Sequence, residues 1–159
     1  MIYSEIDLME IVQKLNFSKQ MKIISSPFNT SGFIVLTITL YMYNTLNNND
    51  IMVLGIGAFF GILLKLLFKR QRPYQANERI INYSGKLHQN IFEKYSFPSG
   101  HTFIATMFSL IMLKKFPQEF VFNIVSVLVG FSRIFLGVHY PSDIIGGMVF
   151  GFIFYHILA

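Results

Sequence analysis

From Pro27 to Leu46 the chain runs for 20 residues without a charged side chain. At about 1.5 Å of helical rise per residue, that length matches a hydrocarbon layer of roughly 30 Å, so the run reads as a membrane-spanning helix. After a polar turn at Asn47-Asn48-Asn49-Asp50, Ile51 to Phe68 returns across the layer with Lys65 as its one charge. The chain is 53% hydrophobic and 13% charged over 159 residues, whereas a soluble domain carries roughly 25% charged residues. That balance argues against both a soluble globule and a disordered chain, and the length allows one domain, residues 1–159.

Three more apolar segments follow: Pro98 to Leu113, Phe120 to Leu136 and Pro141 to Ala159, with Lys114 to Glu119 as a turn. Gly57 with Gly61, and Gly147 with Gly151, have the small-xxx-small spacing that lets helices approach closely. At the N-terminus, Ile6 to Leu15 puts Asp7, Glu10, Gln13 and Lys14 on one side of a helical wheel and apolar residues on the other. Residues 1–25 therefore read as an interfacial helix, with a poorly hydrophobic extra span as the alternative. The expected fold is an all-α polytopic bundle, with five clear spans plus that N-terminal amphipathic or sixth membrane helix. No basic start followed by a short apolar run is present, so no cleavable secretory signal is expected.

Residues 69–97 are the one long loop, polar, basic and aromatic, with a short amphipathic stretch expected within Ile80 to Tyr95. Six of the chain's 13 Lys and Arg lie there, and the net charge is +5. A basic excess beside membrane spans suits anionic head groups or a phosphate-bearing substrate better than nucleic acid. With no Cys, thiolate metal sites and Cys nucleophiles are excluded. If each segment crosses once, the end of the second, the long loop, the start of the third, the end of the fourth and the start of the fifth meet at one face.

That face collects residues that are expensive in a membrane. Lys65 and Arg133 lie near the ends of apolar helices, with His101, His139 and Asp143 at helix mouths. A Lys or Arg at a helix centre costs roughly 2.5–3.5 kcal/mol, less near the ends where it can snorkel. Together they fit a phosphoryl group. Lys65, Arg72 and Arg133 can neutralise its oxygens, and Ser99 and the Gly100 amide can add donors where a helix begins. Histidine serves as nucleophile or general acid near neutral pH, and Asp143, four residues after His139, can hold one imidazole nitrogen and leave the other free.

Lys65-x6-Arg72-Pro73, Pro98-Ser99-Gly100-His101 and Ser132-Arg133-x5-His139-x3-Asp143 reproduce three motifs. In these the chain resembles the type-2 phosphatidic acid phosphatase superfamily, whose soluble cousins are the vanadium haloperoxidases. The motifs span residues 65–143, about half the chain. The resemblance implies that Lys65, Arg72 and Arg133 hold phosphate with help from Ser99 and Gly100. It also implies that His139 attacks phosphorus to form a phosphohistidine, that Asp143 orients it, and that His101 protonates the leaving oxygen. No metal and no cofactor are implied.

The expected activity is an integral-membrane lipid phosphatase acting on phosphatidate, phosphatidylglycerophosphate or a polyprenyl diphosphate. A phosphotransferase using the same intermediate is the first alternative, and a non-catalytic membrane binding subunit the second. Partners are the lipid phosphate substrate and membrane lipids, with no nucleic acid; the sequence is silent on oligomeric state. The positive-inside rule alone would turn the basic catalytic face towards the cytoplasm, with only Lys114 and Lys115 opposite. The resemblance implies the non-cytoplasmic face, which is the expectation adopted. His88 and His156 are expected to stand outside the catalytic set.

Overall fold

The computed structural model describes residues 4–88 and 93–159, and the secondary structure among them is helical. Its helices are α1 (Glu5–Gln13), α2 (Ser18–Ser25), α3 (Thr30–Met42), α4 (Asn48–Phe68), α5 (Pro73–Ala76), α6 (Gly100–Lys115), α7 (Phe122–Phe135) and α8 (Pro141–Leu158), with a 3-10 turn at Ser26–Phe28. The starts of the long helices follow from local chemistry. Asn47 and Asp50 exchange side-chain-to-backbone bonds of 2.9 Å to open α4, the Ser99 hydroxyl caps α6, and Pro141 stands in the first turn of α8.

Helix α6 is the axis of the bundle, packed against α4, α7 and α8. Phe103 and Met107 on it are fully buried, joined by Val53 and Leu54 of α4 and Tyr155 of α8. The glycine spacings are used as expected. A methyl group at Gly147 would come within 2.8 Å of the Ser99 carbonyl oxygen, so the N-terminal halves of α6 and α8 touch through backbone. The Ser99 amide then bonds the Asp143 carbonyl at 3.0 Å. Outward faces remain apolar: Val35 and Ile38 on α3, Phe59 and Leu67 on α4, and Ile145 and Phe152 on α8 are exposed, as lipid-facing side chains would be.

Several expectations need correction. The run from Pro27 to Leu46 is not one helix. Pro27 falls in the 3-10 turn, Asn29 then caps a new helix by accepting from the Gly32 amide at 2.8 Å, and α3 follows at 54° to the preceding segment. By length and composition, α4 and α8 suffice to cross a membrane, and the bent pair Ser18–Phe28 and Thr30–Met42 makes a third if counted as one; α6 and α7, at 16 and 14 residues, are shorter.

The N-terminal region is two helices broken near Asn16, which has a positive φ of 56°. Gln13, placed on the polar side by periodicity, is buried, because its carboxamide donates to the carbonyls of Ile81 (2.7 Å) and Phe135 (3.0 Å) and accepts from the Ile81 amide. Leu8, Ile11 and Leu15 face outward instead. Residues 80–88 are irregular, with a turn at Tyr83 and Ser84, and not the expected amphipathic helix; part of that expectation, residues 89–92, lies outside the described residues.

Candidate active site

Five motif side chains that the sequence scatters from position 65 to 139 line one cavity of about 530 Å³: Lys65, Arg72, His101, Arg133 and His139, with Gly100 beside them. Each is delivered by a helix end. Lys65 is on the last turn of α4, Arg72 just beyond it, His101 on the first turn of α6, Arg133 on the last turn of α7 and His139 just before α8. The turn that places His139 depends on Gly137. It sits at φ 76°, and a methyl there would meet the Ile81 carbonyl oxygen at 2.2 Å.

Lys65, Arg72 and Arg133 are buried to 7%, 3% and 6% exposure, so three basic side chains crowd the wall of one cavity. None is held by a carboxylate among the described residues. Lys65 Nζ donates to the Tyr95 carbonyl at 3.0 Å. Arg72 donates from Nε and Nη2 to the Glu93 carbonyl and from Nη1 to the Val138 carbonyl at 2.8 Å. Arg133 Nη1 reaches Ser25 Oγ at 3.3 Å, and its buried Nε has no protein partner. Backbone carbonyls hold Lys65 and Arg72, and a hydroxyl meets Arg133, so the charges are positioned without being cancelled, which is the condition for binding an anion.

His139 stands among them. Its Nε2 is 3.3 Å from Arg72 Nη1, and its Nδ1 is 3.5 Å from Asp143 Oδ2, a close approach without hydrogen-bond geometry, so the buried Nδ1 has no hydrogen-bond partner among the described residues. Burial first, and then the charges of Arg72, Lys65 and Arg133, hold the imidazole pKa well below its usual value. The ring is therefore neutral at neutral pH. Burial likewise lowers the Arg72 guanidinium to about 10, which leaves it charged under the same conditions.

Two motif residues stand behind the wall. The Ser99 hydroxyl accepts from the Thr102 amide at 3.4 Å and lies 3.0 Å from Thr102 Oγ1, so it is occupied in capping α6. Asp143 is fully buried: Oδ2 accepts from the Tyr140 amide at 2.9 Å, and Oδ1 accepts from Arg70 Nη1 at 2.7 Å.

Sequence reasoning missed Arg70 and Glu5, whose carboxylate meets Arg70 Nη2 at 2.8 Å, and it missed Lys22, Ser25 and Lys86 on the cavity wall. Their positions depend on long-range packing and follow no local pattern. His88 also lines the cavity; it is buried, and burial with the charges of Arg72 and Arg133 holds its pKa down at about 3. His156 is exposed on the outer face of α8. Beyond the polar end, the cavity continues between α3 and α4 along Phe33, Ile34, Ala58 and Ile62.

Helices with apolar outer faces around a buried, basic cavity are, among the described residues, those of a helical membrane protein. A model of the PAP2 superfamily matches residues 49–159, and the chain belongs to that superfamily of type-2 phosphatidic acid phosphatases. Among curated relatives, it is 29% identical over 132 residues to phosphatidylglycerophosphatase B of Bacillus subtilis, covering 68% of this chain and 64% of that protein. It is 33% identical over 137 residues to undecaprenyl-diphosphatase BcrC of the same organism, covering 78% and 65%. The chain thus spans just under two thirds of the length of these relatives. Two crystal structures share the fold at a TM-score of 0.69: the PAP2-type phosphatidylglycerolphosphate phosphatase of Bacillus subtilis (22% identity, covering 95% of this chain and 82% of that one) and LpxE of Aquifex aeolicus (21%, covering 95% and 92%).

Proposed function

We propose that this protein is a polytopic membrane lipid phosphatase, one domain over residues 1–159, that hydrolyses a phosphate monoester or diphosphate of a lipid through a phosphohistidine. The observation that carries the reading is the shared cavity in which Lys65, Arg72 and Arg133 stand beside His139. Relatives named as phosphatases of phosphatidylglycerophosphate and undecaprenyl diphosphate support the substrate class. The apolar extension between α3 and α4 supports it independently, because it offers a lipid chain a path away from the cationic end.

In the proposed sequence, the three cations and the Gly100 amide at the start of α6 hold the phosphoryl oxygens, with Ser99 fixing that helix start. His139 Nε2 attacks phosphorus as the bond from phosphorus to the lipid oxygen, or to the bridging oxygen of a diphosphate, breaks. His101 gives that oxygen a proton. Water then attacks the phosphohistidine, His101 takes a proton from it, the N–P bond breaks and inorganic phosphate leaves. Asp143 steadies the imidazole through Nδ1. The cationic side chains supply the charge that a metal would otherwise supply, so the reaction is metal-independent.

The apolar lengths are read as five crossings with α1 and α2 at the interface; α6 and α7 are short because α6 is enclosed by its neighbours and α7 covers one of its sides. The site is assigned to the non-cytoplasmic face. Purified protein in detergent is expected to release phosphate from phosphatidate, phosphatidylglycerophosphate or a polyprenyl diphosphate in the presence of a chelator, and to be inhibited by vanadate. Equal turnover by the His139→Ala variant would overturn the mechanism.

A further inference from the structure

Arg70 is not one of the motif residues and does not line the cavity, yet its guanidinium pairs with two carboxylates, whereas the cavity cations pair with none among the described residues. Its Nη1 donates to Asp143 Oδ1 at 2.7 Å and to Ser142 Oγ at 2.6 Å, and its Nη2 donates to Glu5 Oε2 at 2.8 Å. The guanidinium also lies 3.9 Å over the Tyr140 ring. The other oxygen of Glu5 accepts from the Ser142 amide at 2.7 Å, an otherwise free N–H in the first turn of α8. Glu5 is the first residue of α1, so the N-terminal helix reaches the carboxylate behind His139 through a single guanidinium.

We infer that Arg70 and Glu5 are positioning residues: they clamp the Asp143 carboxylate so that Oδ2 points at His139, and they make the docking of α1 a condition for catalysis. The inference rests on the reading of His139 as nucleophile and Asp143 as its orienter. A carboxylate can rotate about its terminal torsion, and only one of its oxygens faces the imidazole. Arg70 holds Oδ1 and the Tyr140 amide holds Oδ2, which leaves one orientation.

Glu5 has a second effect. It shares the charge of Arg70, so that Asp143 is not fully neutralised and keeps its negative field for the imidazole. The pairing is mutual. Burial disfavours a charge on Arg70, but Asp143 and Glu5 outweigh it and raise the guanidinium pKa above its ordinary value.

Helix α1 is seated by contacts that do not touch the site. Gln13 bonds the backbone of Ile81 and Phe135, and Arg79 pairs with Asp7 (3.1 Å) and Glu10 (3.3 Å). The amphipathic helix is therefore anchored at its far end to the long loop and to the end of α7, and at its near end to the charge behind the nucleophile. Neither Glu5 nor Arg70 lines the cavity, so their removal should act on turnover more than on binding.

The test is steady-state kinetics on the full chain in detergent with phosphatidate and a polyprenyl diphosphate, for Glu5→Gln, Glu5→Ala, Arg70→Lys, Arg70→Ala and the Glu5→Ala/Arg70→Ala pair. Folding is checked by gel filtration and thermal unfolding. Arg70→Ala should lower kcat about a hundredfold and Glu5→Ala about tenfold, with KM within twofold, since small misplacements of a reacting group cost that much. Arg70→Lys, which keeps the charge without the fork, should recover part of the loss. Adding Glu5→Ala to Arg70→Ala should lower kcat by much less than Glu5→Ala does alone, because once Arg70 is gone only the bond of Glu5 to the Ser142 amide remains to be lost. Wild-type kcat in both single variants, losses that multiply in the pair, or changes confined to KM would overturn the clamp while leaving the phosphatase reading intact. If Arg70→Ala does not fold, Arg70→Lys and Glu5→Gln decide by the same kcat-against-KM criterion. An inactive wild type overturns the phosphatase reading and this inference with it.

Discussion

Arg72 Nη1 stands 3.3 Å from His139 Nε2, and the same guanidinium is fixed by the carbonyls of Glu93 and Val138. The cation is thus aligned with the nitrogen lone pair proposed to attack phosphorus, and it is aligned by backbone. Arg72→Lys should reduce kcat/KM by at least about a hundredfold, on the order of 3 kcal/mol, because a single ammonium cannot reach both carbonyls and the phosphoryl group. Comparing kcat/KM for Arg72→Lys with wild type on one lipid phosphate checks this; a loss under threefold would show that charge alone suffices.

His139 should titrate below the ordinary histidine value, about 6.5. Burial and the surrounding cations favour the neutral ring, so the direction is downward, and the ring stays unprotonated as pH falls through the usual range. Protein labelled with [15N]histidine should show one imidazole, absent from His139→Ala, that remains neutral at pH 6. In Arg72→Gln that titration should move up towards the ordinary value, because a repelling charge has been removed.

Gly147 lets α8 lie on the backbone of α6. Gly147→Ala places a methyl 2.8 Å from the Ser99 carbonyl oxygen, a backbone atom that cannot swing aside. The helices must part, at a cost of about 1–3 kcal/mol. Thermal unfolding should fall and activity should fall with it, since the same contact sets Ser99 beside Asp143. Gly55, with nothing within 4 Å of an added methyl, is the control and should tolerate alanine.

Lys22 and Lys86 line the cavity mouth and take part in no ion pair among the described residues. Replacing both with alanine should raise KM for a diphosphate lipid about fivefold, on the order of 1 kcal/mol for two exposed charges, and should raise it less for phosphatidate. Equal effects on both substrates would show that the lysines sense the membrane surface and not a second phosphate.

Asp50 and Lys115 pair at 2.8 Å at the other end of the bundle. Asp50→Asn should cost no more than about 1 kcal/mol of stability and leave turnover unchanged, since the amide oxygen can still cap α4 and no site residue is near. Lost turnover in this variant would mean that the two ends of the bundle are coupled.

The motif positions were legible in the sequence because each combines a residue type that membranes disfavour with a fixed spacing to its neighbours. The convergence of Lys65, His101 and His139 followed from counting helices that alternate in direction, and the cavity brings them together. Other residues gave no local signal. Gln13 looked like a solvent-facing residue by periodicity, yet it is buried because two carbonyls from distant segments need a donor there. The bend before α3 was hidden within an apolar run, since hydropathy does not register that Pro27 lacks an N–H and that Asn29 can cap a new helix.

The sequence by itself determined the apolar character of the chain, the helical class, the family and the set of charged side chains that come to share one cavity. These depend on composition and on short spacings, which are properties of neighbouring residues. Only the tertiary structure decided which oxygen of Asp143 faces His139, that Glu5 and Arg70 stand behind it, and how α1 is seated, because those contacts join residues more than 60 positions apart. Such contacts are set by the packing of whole helices, in which the direction of one side chain depends on every element around it.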